Sequence, residues 1–268
     1  MTHKKIHFVF EKHKEPNAGF AKKLIAELGQ NNLKDADVVV TVGGDGLLLQ
    51  ALGASKGKPI YAIKPPTSNS MGFWTDDGVG NAEMLLRNLK KAKTVTLLPL
   101  KADIQFTNKQ RIIRHAFNSL AIERDSGQAA FINLTAQFKH AFDGPHLISG
   151  DGLIFSTALG STGMNRSYGG PSIDIENNVI ILTGKGIYRP AGATPVVVNA
   201  ENVSYIMDFT SVAHKRPIRI DCDGLSVKTD DDGCPIESVK ISVDTTKSAK
   251  LLITTDPRLR TFSSLIPR

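Results

Sequence analysis

Three glycines surround one aspartate directly after a strand-forming run, and this feature constrains the fold more than any other. The run is residues 38–42, Val-Val-Val-Thr-Val, and the tetrad is residues 43–46, Gly-Gly-Asp-Gly. A buried strand that ends in glycines presents bare backbone N–H groups at its carboxyl end, where open α/β sheets bind ligands. Residues 47–52 read as the start of a helix, whose N-terminus attracts anions. The tetrad therefore indicates a phosphate-binding turn.

The lone carboxylate of Asp45 needs a separate explanation, because it repels phosphate unless it holds a metal ion or takes a proton. That combination points to phosphoryl transfer, with Asp45 as the catalytic candidate. The alternative is an ordinary turn between strand and helix in which Asp45 caps the helix. Three glycines around one acid, after five residues typical of a buried strand, favour the functional interpretation.

Composition narrows the class of protein. A chain of 268 residues with 41% hydrophobic content can bury the cores of two domains. We find no signal peptide and no apolar stretch that could span a bilayer, and two cysteines are too few for a disulfide framework, so we predict a cytoplasmic protein with no membrane partner. The net charge of +7 fits binding to nucleic acid or a membrane, or binding of an anionic small substrate in a basic cleft. Because the basic residues are scattered, we predict no nucleic-acid partner.

The pattern of secondary structure changes near residue 93. Before it, predicted strands at 5–11, 36–42 and 59–63 alternate with predicted helices at 18–28, 46–54 and 82–92, which is typical of a Rossmann-like α/β domain with a parallel sheet. After it, strand-like runs dominate, at residues 94–106, 111–123, 129–138, 152–155, 178–182, 195–198, 218–223, 239–243 and 251–254. We therefore predict an α/β nucleotide-binding domain (1–93) and a β-rich substrate-binding domain (94–249).

A second glycine-rich block lies at residues 151–163. An acid precedes a buried-type strand, which runs into small and hydroxylated residues, and a Gly-Gly-Pro turn at 169–171 ends the segment. Hydroxyls and backbone amides at this spacing can hold phosphate or sugar hydroxyls without a charged clamp. Taken alone, the block fits an ordinary loop. Taken together with the tetrad, it indicates that the two glycine-rich segments form opposite walls of one cleft.

In their order, these blocks resemble the NAD kinase family, which phosphorylates the adenosine-ribose 2′-hydroxyl of NAD. The resemblance spans almost the whole chain. It rests on residues 43–46, residues 71–76, Asn118, residues 151–162, residues 169–171, and Asp223 with Gly224. The tetrad alone is only moderately specific, since related lipid kinases share it.

The resemblance implies a fold, substrates and partners. It implies an α/β N-terminal domain, a β-rich C-terminal domain, and a chain end (250–268) that returns to the first domain. The substrates would be NAD, lying between the domains, and ATP or polyphosphate as the donor. Mg²⁺ or another divalent cation would accompany ATP, with no metal ligand assigned to the protein. The assembly would be a homodimer or a homotetramer.

The resemblance also implies roles for individual residues. Asp45 would act as the general base or orient the attacking hydroxyl, while Gly44 and Gly46 would let the phosphates approach closely. Asp223 would lie near the catalytic centre, where it would act through Mg²⁺. The predicted binding residues are Gly44, Gly46, Phe73, Asn118, Ser119, Asp151, Thr162, Gly163, Ser167 and Asp223.

Several positions depart from the family pattern, among them Leu47, where the family has threonine, and Leu225, where it has glutamine. Ser119 stands where the family has a glutamate that would accept hydrogen bonds from ribose hydroxyls, and Met164 stands where bacterial members have tyrosine. Losing one charged acceptor weakens binding by about 1–3 kcal/mol. We predict an active kinase with altered or weakened dinucleotide binding. A lipid or small-alcohol kinase and a non-catalytic nucleotide sensor remain alternatives, and acceptance of NADH stays open.

Overall fold

The computed structural model describes residues 4–70, 72–209 and 212–255, and the chain divides into two compact units. The first unit comprises the residues up to 97 together with those from 248 on, and the second is Leu98–Lys247. The sequence places the corresponding limits at residues 93 and 249. Most of the predicted returning segment lies outside the described residues, which end at 255.

The first unit begins with alternating strands and helices. These are β1 (Ile6–Phe10), α1 (Asn17–Leu28), β2 (Val38–Val42), α2 (Asp45–Ala54), β3 (Ile60–Ile63), α3 (Ala82–Lys91) and β4 (Lys93–Leu97). The second unit contains β5 (Leu100–Phe106), β6 (Arg111–Ala116), β7 (Ser119–Arg124), β8 (Ala130–Phe138), β9 (Phe142–Gly150), β10 (Gly152–Ser156), α4 (Met164–Ser167), β11 (Val179–Lys185), β12 (Val196–Asn199), β13 (Val203–Asp208), β14 (Ile218–Cys222), β15 (Leu225–Val227) and β16 (Ile236–Val243). The strand β17 (Ala249–Ile253) belongs again to the first unit.

The first unit is a five-stranded sheet in the order β1-β2-β3-β17-β4. Strands β1, β2, β3 and β17 are parallel, and β4 is antiparallel. In the central register Tyr61 lies between Val40 and Leu252. The amide oxygen of Asn81 accepts the N–H of Met84 at 2.9 Å and caps α3. The predicted α/β fold is confirmed, and β1, β2 and β3 all end at one edge of the sheet.

The second unit consists of two six-stranded antiparallel sheets. Their orders are β12-β11-β10-β7-β14-β15 and β6-β5-β16-β13-β8-β9. Apolar side chains of both sheets share one core, in which the rings of Phe155 and Tyr205 lie 5.1 Å apart. The predicted β-rich second domain is confirmed. No helix of the described ranges has the length and apolar content to cross a bilayer.

Two of the predicted strand runs are each two strands. Residues 94–106 contain β4 in the first unit and β5 in the second, and residues 111–123 contain β6 and β7 in different sheets. Strands β9, β13 and β15 were not predicted. Most of β9 is exposed and contains an internal Gly144-Pro145 pair, so it lacks the apolar alternation that reveals a strand.

Candidate active site

Asp45 begins helix α2, and main-chain donors fix its carboxylate. Its Oδ2 accepts the N–H of Phe73 at 2.7 Å, and its Oδ1 accepts the N–H of Trp74 at 3.0 Å. Gly44 occupies the N-cap position, where no side chain caps the helix, so Asp45 is not the helix cap. The sequence blocks 43–46 and 71–76 therefore meet at one carboxylate, although Met71 itself lies outside the described residues.

The segment 72–76 is anchored by Asp76, a residue that sequence reasoning did not single out. The Asp76 N–H donates to the carbonyl of Ala62 at 2.8 Å. Its carboxylate accepts the hydroxyl of Thr254 at 3.0 Å and the amide of Asn88 at 3.3 Å. The phenol of Tyr61 also donates to it, and burial followed by the contact with Asp76 raises the pKa of Tyr61. The only sequence feature that points to Asp76 is its position at the end of the 71–76 block.

A cavity of about 540 Å³ lies beside the glycine tetrad, within the first unit. Its walls are the segments that follow β1, β2 and β3, so it sits at the carboxyl edge of the parallel strands, where such sheets bind ligands. Gly44 and Gly46 line it, with Lys14 on the β1 side and Ser70 on the β3 side. A Cβ added to Gly46 would meet no atom within 4 Å, so this glycine faces open space.

In the second unit, Asp223 clamps the break between β6 and β7. Its carboxylate accepts the N–H groups of Phe117 at 2.6 Å, Asn118 at 3.0 Å and Ser119 at 2.9 Å. Asp223 has a φ of 47° and Gly224 a φ of 88°, both in the left-handed region. Burial raises the pKa of Asp223, and the three N–H donors partly offset that rise. The structure thus brings three predicted site residues together, and it directs the Asp223 carboxylate at main-chain amides.

Asn118 also contacts the second glycine-rich block. The Thr157 N–H donates to the Asn118 carbonyl at 3.1 Å, and the Thr157 hydroxyl donates to the Phe117 carbonyl at 2.6 Å. A Cβ at Gly160 would lie 2.0 Å from the Asn118 carbonyl oxygen, so only glycine fits there. A Cβ at Gly163 would lie 3.5 Å from the Asn118 amide nitrogen. The turn that carries the predicted residue Thr162 therefore packs against Asn118.

Asn165 fixes the segment that carries the predicted binding residues, and sequence reasoning missed it. Its buried amide nitrogen donates to the carbonyls of Ser161 and Pro171, at 2.9 Å each, and its amide oxygen accepts the hydroxyl of Thr183 at 2.6 Å. One side chain therefore ties the 157–163 segment and the Gly-Gly-Pro turn to strand β11. The hydroxyl of Ser167 donates to the carbonyl of Met164 at 2.8 Å, within the same short helix.

The positions that depart from the family pattern differ in exposure. Ser119 is buried and lies opposite Ser156 in the β7–β10 register. The hydroxyl oxygen of Ser156 is buried with no hydrogen-bond partner among the described residues. Met164 is 41% exposed. Ser119 therefore places a small hydroxyl, opposite Ser156 in the register, where the family has a longer acidic side chain.

Asp151 lies apart from Asn118 and Thr162. It precedes strand β10, whereas the 157–163 turn follows that strand, and five extended residues separate their ends by about 17 Å. The carboxylate of Asp151 accepts a hydrogen bond from Nε of Arg124 at 2.6 Å. Nearby, the buried carboxylate of Glu123 pairs with Lys185 and with Arg219. This charged cluster was not predicted from sequence.

No protein-family model matches the chain, but curated relatives do. The NAD kinase of Brucella suis biovar 1 (strain 1330) is 31% identical over 226 residues, which cover 84% of each chain. The NAD kinase of Xanthomonas oryzae pv. oryzae (strain MAFF 311018) is 30% identical over 219 residues, which cover 80% of this chain and 81% of that protein.

Solved structures show the same fold. A yeast NADH kinase complexed with NADH has a TM-score of 0.80 at 14% identity and covers 98% of this chain and 87% of its own. An NAD kinase from Archaeoglobus fulgidus in complex with ATP has a TM-score of 0.68 at 21% identity, and the match covers 97% of this chain and 98% of that one. Because identity over four fifths of the chain reaches 30%, this chain belongs to the NAD kinase family and phosphorylates NAD to give NADP.

Proposed function

We propose that this NAD kinase uses ATP as its donor and Asp45 as the general base. The observation that carries the proposal is the setting of Asp45, between two glycines that line the cavity at the strand edge. The N–H groups of Phe73 and Trp74 orient its carboxylate. The structure of the archaeal NAD kinase in complex with ATP supports the choice of donor.

The proposed chemistry is an in-line transfer. A ribose hydroxyl is a poor nucleophile, so a carboxylate that accepts its proton as attack begins accelerates the reaction. A bond forms between the 2′-oxygen and the γ-phosphorus, the bond from that phosphorus to the β,γ-bridging oxygen breaks, and ADP leaves. The main-chain hydrogen bonds to Asp45 hold its carboxylate in one orientation before the substrate arrives. Less conformational entropy of this side chain is therefore lost on the way to the transition state.

We assign the remaining predicted residues to nucleotide binding. Phosphates would approach Gly44 and Gly46, and the dinucleotide would contact Phe73 in the first unit. In the second unit the proposed binding residues are Asn118, Ser119, Asp151, Thr162, Gly163 and Ser167. The packing of Asn118 against the 157–163 turn supports a shared role for Asn118, Thr162 and Gly163. Asp151 would meet a more distant part of an extended ligand.

We revise the role of Asp223. Its carboxylate oxygens are engaged by three backbone N–H groups of residues 117–119, so we propose that it shapes this turn and presents Asn118. That role differs from the contact with Mg²⁺ that the resemblance implied.

We keep Mg²⁺, or another divalent cation, as a partner of ATP. In the described part of the chain no three His, Cys, Asp or Glu side chains come close enough together to hold a metal ion. Mg²⁺ is commonly bound mainly through substrate phosphates, whose charge it neutralises. No step of the proposal depends on a protein-bound ion.

We further propose a cytoplasmic homodimer or homotetramer with no nucleic-acid or membrane partner. Cys222 and Cys234 are both free, which suits a reducing compartment. Large apolar side chains are exposed on strands β9 and β12, which suits subunit association.

The test is NADP formation from NAD and ATP by the wild type and by Asp45→Asn. We expect the substitution to lower kcat by about 10²–10⁴-fold, the range for a lost general base. Asp37→Asn is the matched control, because the Asp37 carboxylate also accepts a main-chain N–H, that of Lys5 at 2.7 Å, away from the cavity. Undiminished turnover of Asp45→Asn would remove the proposed mechanism. Emission from the buried Trp74 checks that the variant keeps the 72–76 segment folded.

A further inference from the structure

We infer that the cavity beside the tetrad selects a nucleoside triphosphate over inorganic polyphosphate, and that Glu11 and Glu15 set this preference. The inference rests on the proposed kinase function and concerns the donor alone. Both glutamates line the cavity, and all of its walls belong to the first unit.

The ionisable side chains that line the cavity carry more negative than positive charge. Two carboxylates and one ammonium group, those of Glu11, Glu15 and Lys14, line it. The ammonium nitrogen of Lys14 lies 3.1 Å from Oε2 of Glu11, so this cation is already partly neutralised. Lys64 adds one further cation nearby, because its amine donates to the carbonyl of Ser70, which lines the cavity, at 3.3 Å.

The two carboxylates keep their places for different reasons. Glu11 is held by its pair with Lys14, in which each side chain is about half exposed, at 54% and 55%. The Oε2 of Glu15 accepts the N–H of Gly19 at 2.9 Å in the first turn of helix α1. Glu15 is therefore tied to the main chain and cannot swing away from the cavity without losing that bond.

A polyphosphate chain and a nucleoside triphosphate make different demands on such a cavity. Polyphosphate carries about one negative charge per phosphate unit, so a long chain needs a run of cations to replace its counterions, as other polyanions do. A wall with two carboxylates repels every unit beyond the few that the start of helix α2 and Lys14 can stabilise.

The uncharged part of the lining suits a nucleoside. Pro16 and Leu47 provide apolar surface, and the amides of Gln50 and Asn69 provide hydrogen-bonding groups for a base or a sugar. Inorganic polyphosphate has no base or sugar that could contact the apolar surface or bond to these amides. The cavity, at about 540 Å³, is within the size range of small-molecule sites.

The experiment compares two donors in wild-type protein and in the double variant Glu11→Gln/Glu15→Gln. NADP formation is measured with ATP and with medium-chain inorganic polyphosphate, at fixed NAD and Mg²⁺ concentrations. We expect the wild type to favour ATP by more than tenfold in kcat/KM. The double variant should narrow that ratio by about fivefold, as removal of two nearby charges in water predicts. The amide oxygen introduced by Glu15→Gln can still accept the Gly19 N–H, so the first turn of α1 is retained.

The matched control is Glu27→Gln/Glu83→Gln, which makes the same change in net charge on exposed positions of the first unit that do not line the cavity. Equal use of both donors by the wild type would overturn the inference, as would a ratio that changes no more than in the control.

If neither donor yields NADP, the proposed function fails instead. Titration calorimetry of the same proteins with ATP and polyphosphate then decides the inference: preferential ATP binding, weakened in the double variant, upholds it, and equal binding overturns it.

Discussion

Asp223 and Asp244 lie in the same unit, and their surroundings shift their pKa values in opposite directions. Burial raises the pKa of Asp223 despite three backbone N–H donors. Burial also acts to raise the pKa of Asp244, but hydrogen bonds from Thr246 and His115 together lower it to about 2. A raised carboxyl pKa means that ionisation opposes folding, and a lowered one means that ionisation favours it. We therefore expect Asp223 to contribute through the geometry of the 117–119 turn, whose N–H groups its carboxylate accepts.

Asp244→Asn should destabilise the protein in a pH-dependent way. The folded-state pKa of about 2 lies below the ordinary value of 3.8, so the stability from Asp244 is complete above pH 3.8 and is lost as the pH falls through 2. We expect a loss of about 2 kcal/mol in unfolding free energy at pH 7, and roughly half of that at pH 3. Urea unfolding at both pH values measures it.

The control for that prediction is Asp143→Asn. Asp143 also pairs with a histidine, His146 at 2.8 Å, but its side chain is 68% exposed, whereas that of Asp244 is 10% exposed. We expect a change within about 0.5 kcal/mol for this exposed pair. Equal losses in both variants would contradict the assignment of the stability to the hydrogen bonds that Asp244 accepts from Thr246 and His115.

The sequence-based proposal of site residues rests on residue types whose chemistry is visible locally, and it missed residues that act through distant contacts. The glycine tetrad marked Asp45, because glycine and an isolated acid after a strand are unusual together. Asp76 and Asn165 were missed because their roles come from distant partners, such as Thr254 and Thr183. No local spacing predicts those contacts.

At the scale of elements, helix α2 offers a test of why its first turn contains glycine. Gly46 and Gly53 both lie in α2, and a Cβ at either would meet no atom within 4 Å. Only Gly46 lines the cavity. Alanine at either position should leave stability unchanged or raise it by up to about 1 kcal/mol.

We therefore expect Gly46→Ala to raise the KM for ATP by about tenfold, since the added methyl occupies space proposed for phosphate. Gly53→Ala should leave the KM unchanged. Steady-state kinetics and thermal unfolding of both variants measure the two effects. A normal KM for ATP in Gly46→Ala would show that the phosphates do not approach this turn.

The strands show where sequence patterns stop being informative. Buried strands such as β2 and β10 were found from their apolar runs, and α3 from Asn81 and its apolar stripe. The 111–123 run reads as continuous, but Asp223, a hundred residues later, holds the break at 117–119. A break fixed by a long-range hydrogen bond leaves no mark in the strand's own sequence.

At the scale of the whole molecule, the exposed apolar edge of the second unit bears on assembly. Phe142 on β9 is 70% exposed, and Val196 and Val197 on β12 are 46% and 41% exposed. Both strands are sheet edges, and a groove lined by Phe138 and Val196 connects them. Exposed apolar edge strands are typical of surfaces that associate.

We expect Phe142→Glu to shift the protein toward monomer. Light scattering after size-exclusion chromatography measures the mass across a concentration series. Ile113→Glu is the control, because Ile113 is 49% exposed on β6, at the opposite edge of the same sheet. A wild type that is monomeric throughout, or a dimer unaffected by Phe142→Glu, would contradict a subunit interface at β9.

Strand β17 lies inside the first sheet, between β3 and β4, although it follows the entire second unit in the chain. During synthesis, therefore, β4 emerges from the ribosome about 150 residues before the strand that joins it to β3, and β3 emerges earlier still, since the second unit, Leu98–Lys247, is made in between. The β-rich insertion can complete its own pairing first, whereas the Rossmann-like sheet must wait until β17 (Ala249–Ile253) has been made. Nascent chains stalled before residue 249 would then expose the inner edges of β3 and β4 to chaperones.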